Sequence, residues 1–146
     1  MTRIESSVLI PKSVEQSFAF LNVAENHAKF IPNMSEFKQT SAGAFGKVGA
    51  SVQGTLKIMG IKISVLYEII EHETNRRLAM KGVMGFVAFK DGYVLTPSAN
   101  GTQINFWLEL TMKGWAKPLQ PFAGLIGKIH AAETLHNLKR ELEAKD

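Results

Sequence analysis

The chain has 146 residues, 45% of them hydrophobic and 21% charged, and Lys and Arg outnumber Asp and Glu by 17 to 13, a formal charge of +4. This length and apolar content fit one globular domain over 1–146 and exclude a disordered chain, while the absence of cysteine excludes disulfides, thiolate metal sites and a cysteine nucleophile. No apolar run approaches the ~18 residues of a membrane span and no signal-peptide centre is present, so a soluble, cytoplasmic protein is expected.

Two cap signals near the start of the chain predict two short helices after a first strand. Ser13 and Gln16 form a capping box, in which each side chain satisfies a backbone N–H left free by the first helical turn. Asn22 and Glu25 repeat this spacing, so a second short helix is expected to end near Phe30. Alternating apolar residues predict the other strands. The predicted strands are 3–10, 34–41, 47–58, 61–72, 77–84, 87–97 and 102–112, and a long helix spans about 121–144.

The charged residues predict the register of four neighbouring strands. Short loops at 73–76, 85–86 and 98–101 would align Glu68, Lys81, Lys90 and Glu109 in one row on one face of the sheet. Opposite charges at facing positions are mildly stabilising, and each lysine then has an acid on its far side.

The same register collects an apolar face with a few exceptions. Gly54 and Gly82 lie in mid-strand opposite large side chains, so we expect gaps that bend the sheet or leave a hollow. Two tyrosines, Tyr67 and Tyr93, and one carboxylate, Asp91, are the polar members of this face. For the tyrosines, a place in the core with the hydroxyl at an edge is the alternative to anchoring a ligand.

The last helix carries two unlike stripes. One begins with Gly124 and Gly127 and continues with leucines, so its small half is expected to stand off from the sheet and enclose space. Close helix packing without a cavity is the alternative. The other stripe is an apolar patch that needs cover from a loop, a second subunit or lipid, and it consists of Phe122, Leu125, Ile126 and Ile129.

Three runs of sequence resemble signatures of one superfamily. They are Tyr67 to Leu78, Tyr93 to Pro97 with the following Gly101-Thr102, and Leu135 to Glu143. In this order they resemble the START-like helix-grip superfamily, and most of all its polyketide cyclase/dehydrase and lipid-transport branch. The resemblance implies an α+β fold in which a curved seven-stranded antiparallel sheet wraps around the long C-terminal helix, with two short helices after the first strand. It also implies an apolar cavity between sheet and helix that binds or carries a hydrophobic small molecule, lipid-like or aromatic and polyketide-like.

Asp91 is the most informative residue of the predicted site. Its predicted neighbours are apolar, so its pKa should rise, which suits a general acid or base or an anchor for a ligand hydroxyl. A strand error of one residue or a bulge would instead turn it to solvent. We take Asp91 and Tyr67 as catalytic candidates for a cyclase or dehydratase. The predicted ligand-binding residues are Phe30, Val52, Gly54, Val65, Tyr67, Met80, Gly82, Met84, Phe89, Asp91, Phe106, Leu108, Trp115, Gly124 and Gly127.

Three functions remain open: a carrier of a hydrophobic molecule, a cyclase or dehydratase, and an interaction module that uses the patch on the last helix, for example as a homodimer. The histidines lack metal-ligand spacing and no cofactor motif is present, so we expect neither a metal nor a cofactor. Lysines collect at 29–62 and 113–128 without forming a nucleic-acid-binding module, so nucleic acid is not an expected partner. The loop at 112–118 is interpreted as a cavity lid, a membrane-surface contact or a solvated loop.

Overall fold

The computed structural model describes residues 2–41 and 47–144. A single antiparallel sheet has the strand order β1-β7-β6-β5-β4-β3-β2. The elements are β1 (Thr2–Ile10), α1 (Val14–Leu21), a 3-10 helix (Ala24–Asn26), α2 (His27–Phe30), β2 (Met34–Gln39), β3 (Ser51–Ile58), β4 (Ile61–Glu73), β5 (Arg77–Met84), β6 (Val87–Ser98), β7 (Gly101–Met112), a second 3-10 helix (Gly114–Leu119) and α3 (Gln120–Glu143). This is the predicted helix-grip fold, with α3 packed on the sheet.

The start of α3 is fastened to the edge of the sheet by one glutamine. Gln120 donates hydrogen bonds to Thr2 Oγ1 at 2.8 Å and to the Leu110 carbonyl at 3.1 Å, and its own side-chain oxygen accepts from the Met112 backbone at 2.9 Å. At the other end of α3, the Asn137 amide donates to the Phe30 carbonyl at 3.1 Å. The buried stripe of the helix between these two anchors covers one face of the sheet, which we call the inner face.

The predicted row of charged residues has the predicted register. Glu68 faces Lys81, Lys81 faces Lys90, and Lys90 faces Glu109 on the outer face of the sheet. Within the described residues, however, these cross-strand neighbours form no ion pair, and Glu109 instead binds Arg3 of β1 at 2.6 Å. The four charged residues therefore face each other as predicted but are not joined by ion pairs.

One predicted loop is wrong. The charge row requires a four-residue loop at 73–76, but Glu73 pairs with Arg77, which leaves a turn of three residues. A bulge between Ile69 and Glu71 absorbs the difference, so the register beyond the bulge is the predicted one.

The first helices are partly as predicted. The capping box of Ser13 and Gln16 is present at the start of α1. The predicted cap role of Asn22 is wrong, because Asn22 ends α1 and its Oδ1 accepts a hydrogen bond of 2.9 Å from His72 Nε2. A 3-10 turn then leads into the short α2. Among the described helices, none combines the length and hydropathy of a membrane-spanning segment.

Candidate functional site

Asp91 lies on the inner face of β6 between two apolar neighbours. Its cross-strand partners are Met80 on β5 and Leu108 on β7, both buried. Its Oδ1 is out of contact with solvent and has no hydrogen-bond partner in the described part of the chain, although the residue as a whole keeps some accessible surface. A buried, unpaired carboxyl prefers its neutral form, and burial raises the pKa of Asp91 to about 7.

Two tyrosines share this electrostatic environment. Tyr67 on β4 is 8% exposed and Tyr93 on β6 is 2% exposed. Burial raises the pKa of both hydroxyls, and the Asp91 carboxylate raises it further, so both groups are protonated donors at neutral pH. Neither hydroxyl has a hydrogen bond to another residue that the structure describes. Tyr67 and Asp91 are two strands apart, which corresponds to roughly 10 Å across the sheet.

A group of aromatic rings extends the apolar surroundings from these polar groups toward α2. The ring of His27 stacks on Phe37 with centroids 4.9 Å apart, and Phe37 in turn lies 5.0 Å from the ring of Tyr67. Tyr93 contacts the edge of Phe30 at 6.1 Å. Such offset and edge-on pairs are the favoured geometries of aromatic side chains.

His27 lies beside these aromatic rings, and its imidazole is neutral. Its Nε2 lies 2.7 Å from the Leu21 carbonyl, and because a carbonyl can only accept, Nε2 carries the proton. Burial lowers the pKa of His27 to about 4. Within the described residues, no group of three or more His, Asp or Glu side chains is arranged to hold a metal ion.

Most of the predicted ligand-binding residues come together on the inner face or beside it. Seven of them are buried there, and Met84, Phe89 and Asp91 keep some accessible surface on the same side of the sheet. The seven buried side chains are Phe30, Val52, Val65, Tyr67, Met80, Phe106 and Leu108.

Of the two outcomes expected beside the mid-strand glycines, the hollow is wrong. A Cβ on Gly82 would lie 2.6 Å from the ring tip of Phe89 and 2.7 Å from the Leu66 carbonyl oxygen, and a Cβ on Gly54 would lie 2.9 Å from Met34 Sδ. Large neighbouring side chains thus occupy the space that each glycine frees. Gly82 admits Phe89 and leaves no additional room for Tyr67.

The prediction that the small half of α3 stands off from the sheet is also wrong. The side chain of Ile4 fills the place that a Cβ on Gly127 would take, and Leu110 Cδ1 would lie 3.3 Å away from it. At Gly124 the nearest atom is Thr2 Cγ2 at 3.7 Å, an ordinary contact. These glycines therefore provide no space for a ligand.

Trp115 does not lie on the inner face. It is 72% exposed on the second 3-10 helix, and its ring packs 4.7 Å from that of Phe86 at the turn between β5 and β6. The patch predicted on α3 is indeed exposed, since Phe122, Leu125 and Ile129 each show more than half of their surface.

Several residues of the site are not predicted by the sequence. Met34 and Phe37 are both buried, although alternation would place them on opposite faces, because a register shift between Met34 and Glu36 turns them to the same side. His72 follows the pattern of a solvated turn, yet its ring lies 5.3 Å from that of Phe18. No local sequence signal marks either irregularity.

Among the open clefts that the described residues form, the two larger ones lie mainly outside the inner face. One of about 860 Å³ is bounded by the start of α1 and by residues such as Arg76 and Pro97, and one of about 660 Å³ follows the charged row on the outer face. Most of their titratable side chains are solvated surface groups, and the exception is the buried Tyr67, which contributes to the lining of the second cleft. The buried carboxyl of Asp91 is chemically the more distinctive feature.

A seven-stranded antiparallel sheet with a long C-terminal helix packed on the face that carries Asp91, Tyr67 and Tyr93 is the architecture of the helix-grip class of proteins. The sequence matches the family described as polyketide cyclase / dehydrase and lipid transport over residues 1–143, and the chain belongs to that family. No curated protein matches the chain.

Solved structures agree on the fold. A START superfamily protein from Mycobacterium smegmatis superposes with a TM-score of 0.81 at 11% identity, covering 97% of each chain. The Zhui aromatase/cyclase from Streptomyces sp. R1128 gives 0.80 at 11% identity, covering 97% of this chain and 93% of that one. A protein from Thermus thermophilus gives 0.79 at 14% identity, covering 98% of both chains. At these identities the likeness concerns the fold alone.

Proposed function

We propose that the chain is a single ligand-binding domain over 1–146 that binds or carries a hydrophobic small molecule, lipid-like or aromatic and polyketide-like, against the inner face of the sheet. The observation that carries this proposal is Asp91, whose Oδ1 is buried without a partner in the described chain. An unpartnered buried polar group is costly, and a ligand that donates a hydrogen bond to it removes that cost. The proposed ligand therefore has an apolar body and at least one hydroxyl or amine.

The apolar and the polar side chains of the proposed site have different proposed roles. Apolar contact supplies affinity at ~25 cal/mol per Å² of buried surface. Asp91 and the hydroxyl of Tyr67 supply orientation, since one accepts and the other donates while the tyrosine stays protonated. The rings of Phe37 and Phe89, which both contact Tyr67, favour a flat or aromatic ligand body.

Native mass spectrometry of the purified protein tests this function directly. We expect a retained apolar ligand or, after delipidation, saturable binding of the fluorescent aromatic amine 1-aminoanthracene, whose amine can donate a hydrogen bond to Asp91. Asp91→Asn should weaken binding of ligands with a hydroxyl or amine, whereas Glu68→Gln on the exposed outer face should not. Absence of both a retained ligand and probe binding would remove the carrier function.

A second candidate function is a cyclase or dehydratase-type reaction. A carboxyl with a pKa of about 7 can take up and return a proton at neutral pH, which a general acid or base must do. In this hypothesis Asp91 moves the proton and Tyr67 stabilises an enolate. If Asp91→Asn retains ligand binding and loses turnover of an aromatic polyketide-like substrate, the enzyme is favoured over the carrier.

The third candidate is an interaction module, in which the exposed stripe of α3 pairs with a second copy or another protein. The motivating observation is the exposure of Leu125 at 64% and Ile126 at 55%. Light scattering of the wild type and of Leu125→Asp separates this function from the others. A dimer that the substitution dissociates would support it. We also propose that a carrier is loaded during transient contact with a lipid surface.

A further inference from the structure

Exposed apolar residues gather at one end of the sheet. The turn between β3 and β4, the turn between β5 and β6 and the last residue of β7 all lie at this end, because Ile58 faces Ile61, Met84 faces Val87 and Val87 faces Met112. The start of α3 is fastened there through Gln120. We call this the apolar end, and its exposed apolar side chains include Met59, Ile61, Phe86, Trp115, Phe122 and Leu125.

Met59 shows how completely this end is presented to solvent. It is 96% exposed at the tip of the β3–β4 turn, and its φ of 51° is followed by a φ of 82° at Gly60. Two consecutive positive φ values are typical of a tight hairpin turn whose central side chains project from the sheet. A polar residue would serve such a turn equally well, so an apolar one there is consistent with insertion into an apolar medium.

The charge at the apolar end has one sign. The three segments that build it, 54–67, 82–89 and 110–132, contain five lysines and no Asp or Glu. The rest of the chain then has twelve Lys and Arg against thirteen Asp and Glu, a net charge of −1. The five are Lys57, Lys62, Lys113, Lys117 and Lys128.

These lysines are exposed and form no ion pair among the described residues. Lys57 and Lys62 even face each other across the β3–β4 hairpin. The nearest acid on the neighbouring strand β2, Glu36, is already paired with Lys38 at 3.0 Å. The positive charge of this end is therefore available to an external anion.

We propose that the apolar end docks on a membrane surface that contains anionic lipid. Exposed Trp, Met and aliphatic side chains suit the boundary between headgroups and acyl chains, and lysines beside them suit anionic headgroups. A second copy of the chain fits less well, because a two-fold contact would bring like-charged lysines together. The docking rests on the proposed function in one respect only: the membrane is then the source of the hydrophobic ligand.

Vesicle flotation tests the docking. We expect the wild type to bind vesicles of phosphatidylcholine with about one third phosphatidylglycerol and not vesicles of phosphatidylcholine alone, and binding should fall as salt shortens the Debye length from ~10 to ~3 Å. Met59→Asp and Leu125→Asp should each weaken binding at least about tenfold, and Lys57→Glu with Lys62→Glu should do the same.

Two matched controls lie away from the apolar end. Leu9→Asp changes an apolar side chain that is 46% exposed at the opposite end of β1, and Lys81→Glu reverses an exposed charge on the outer face. Both should bind vesicles like the wild type, and circular dichroism should show all variants folded. A wild type that ignores anionic vesicles, or a loss that is as large in Leu9→Asp, overturns the proposal, as does a wild-type dimer that Leu125→Asp dissociates.

The docking and the proposed function fail separately. Binding of 1-aminoanthracene in solution is measured on the same samples. Vesicle binding without probe binding supports docking and contradicts the carrier. Probe binding without vesicle binding contradicts docking and leaves the carrier function standing.

Discussion

Ile4 of β1 lies directly beneath Gly127 of α3, and its side chain occupies the place that a Cβ on residue 127 would need. The helix approaches the edge of the sheet closely here because the residue has no side chain. Close approach at Gly127 and the anchoring of Gln120 together hold the first half of α3 on β1 and β7.

Gly127→Ala should therefore destabilise the protein although alanine favours a helix by ~1 kcal/mol. The added methyl forces Ile4 or the helix to move, which typically costs about 1–3 kcal/mol. We expect a net loss of up to about 2 kcal/mol in the free energy of unfolding, measured by chemical denaturation. Gly124→Ala is the matched control and should be neutral or stabilising, because its nearest neighbour is Thr2 Cγ2 at 3.7 Å. Adding Ile4→Val to Gly127→Ala should recover stability; failure to do so would argue against this contact.

Asp91 should make the protein less stable as pH rises. Its pKa is about 7 in the folded state against 3.8 ordinarily, so between these values the folded state holds a proton that the unfolded state has released. This contribution is fully present below about pH 4 and is lost as pH rises through about 7. Because one pKa unit corresponds to about 1.4 kcal/mol and Asp91 keeps some exposure, Asp91→Asn should stabilise the protein by about 2–4 kcal/mol at about pH 8. Thermal unfolding across the pH range should show the two proteins converging in acid; a constant difference would contradict the assignment.

His27 should act in the opposite direction. Its folded pKa of about 4 lies below the ordinary 6.5, so the unfolded state binds a proton first as pH falls. Stability from this source is present above about 6.5 and is lost down to about 4, where the loss reaches up to ~3 kcal/mol. In the wild type, the protonation of Asp91 offsets part of this loss of stability. Asp91→Asn removes the offset, so its free energy of unfolding should fall more steeply as the pH decreases. The Cε1 proton resonance of His27 should stay at its neutral position until about pH 5; titration near pH 6.5 would refute the burial argument.

Removing charges from the outer row should have unequal effects. Arg3 Nη1 lies 2.6 Å from Glu109 Oε2, and the Arg3 guanidinium lies 4.8 Å above the ring of Trp107. Glu109→Gln should therefore cost up to about 1 kcal/mol, and this cost should shrink in high salt. Lys90→Ala should stay within about 0.5 kcal/mol because Lys90 forms no ion pair among the described residues. Equal losses in denaturation experiments would indicate that the cross-strand charges interact after all.

Element order and strand register could be predicted from the sequence because they depend on local signals. Alternation of apolar residues indicates the strands, and dipeptides such as Met59-Gly60 indicate the turns, where both residues have a positive φ. The position of Asp91 between Met80 and Leu108 follows from that register and is confirmed. The arrangement of the sheet around α3 could be predicted only from the family resemblance. The alternation of apolar residues does not indicate how the elements pack together.

The shape of the site could not be predicted in the same way. A glycine indicates that a neighbour comes close, but the sequence does not say which neighbour fills the space, and Phe89 and Ile4 fill it here. Bulges break the alternation without a composition signal. The bulge in β4 turns His72 to the side of the buried Leu78, and the irregularity in β2 buries Phe37 beside Tyr67.

The bulge in β4 also marks where the chain tolerates a change of length. Ile69 pairs with Met80 and Glu71 pairs with Ala79, so Ile70 has no partner on β5. Deleting Ile70 would leave every remaining residue of this hairpin opposite its present partner and on its present face. A deletion within a regular stretch such as 62–68 would instead reverse the faces of its neighbours. Among the residues of β4, Ile70 is the one whose removal would leave the buried residues buried and the exposed residues exposed.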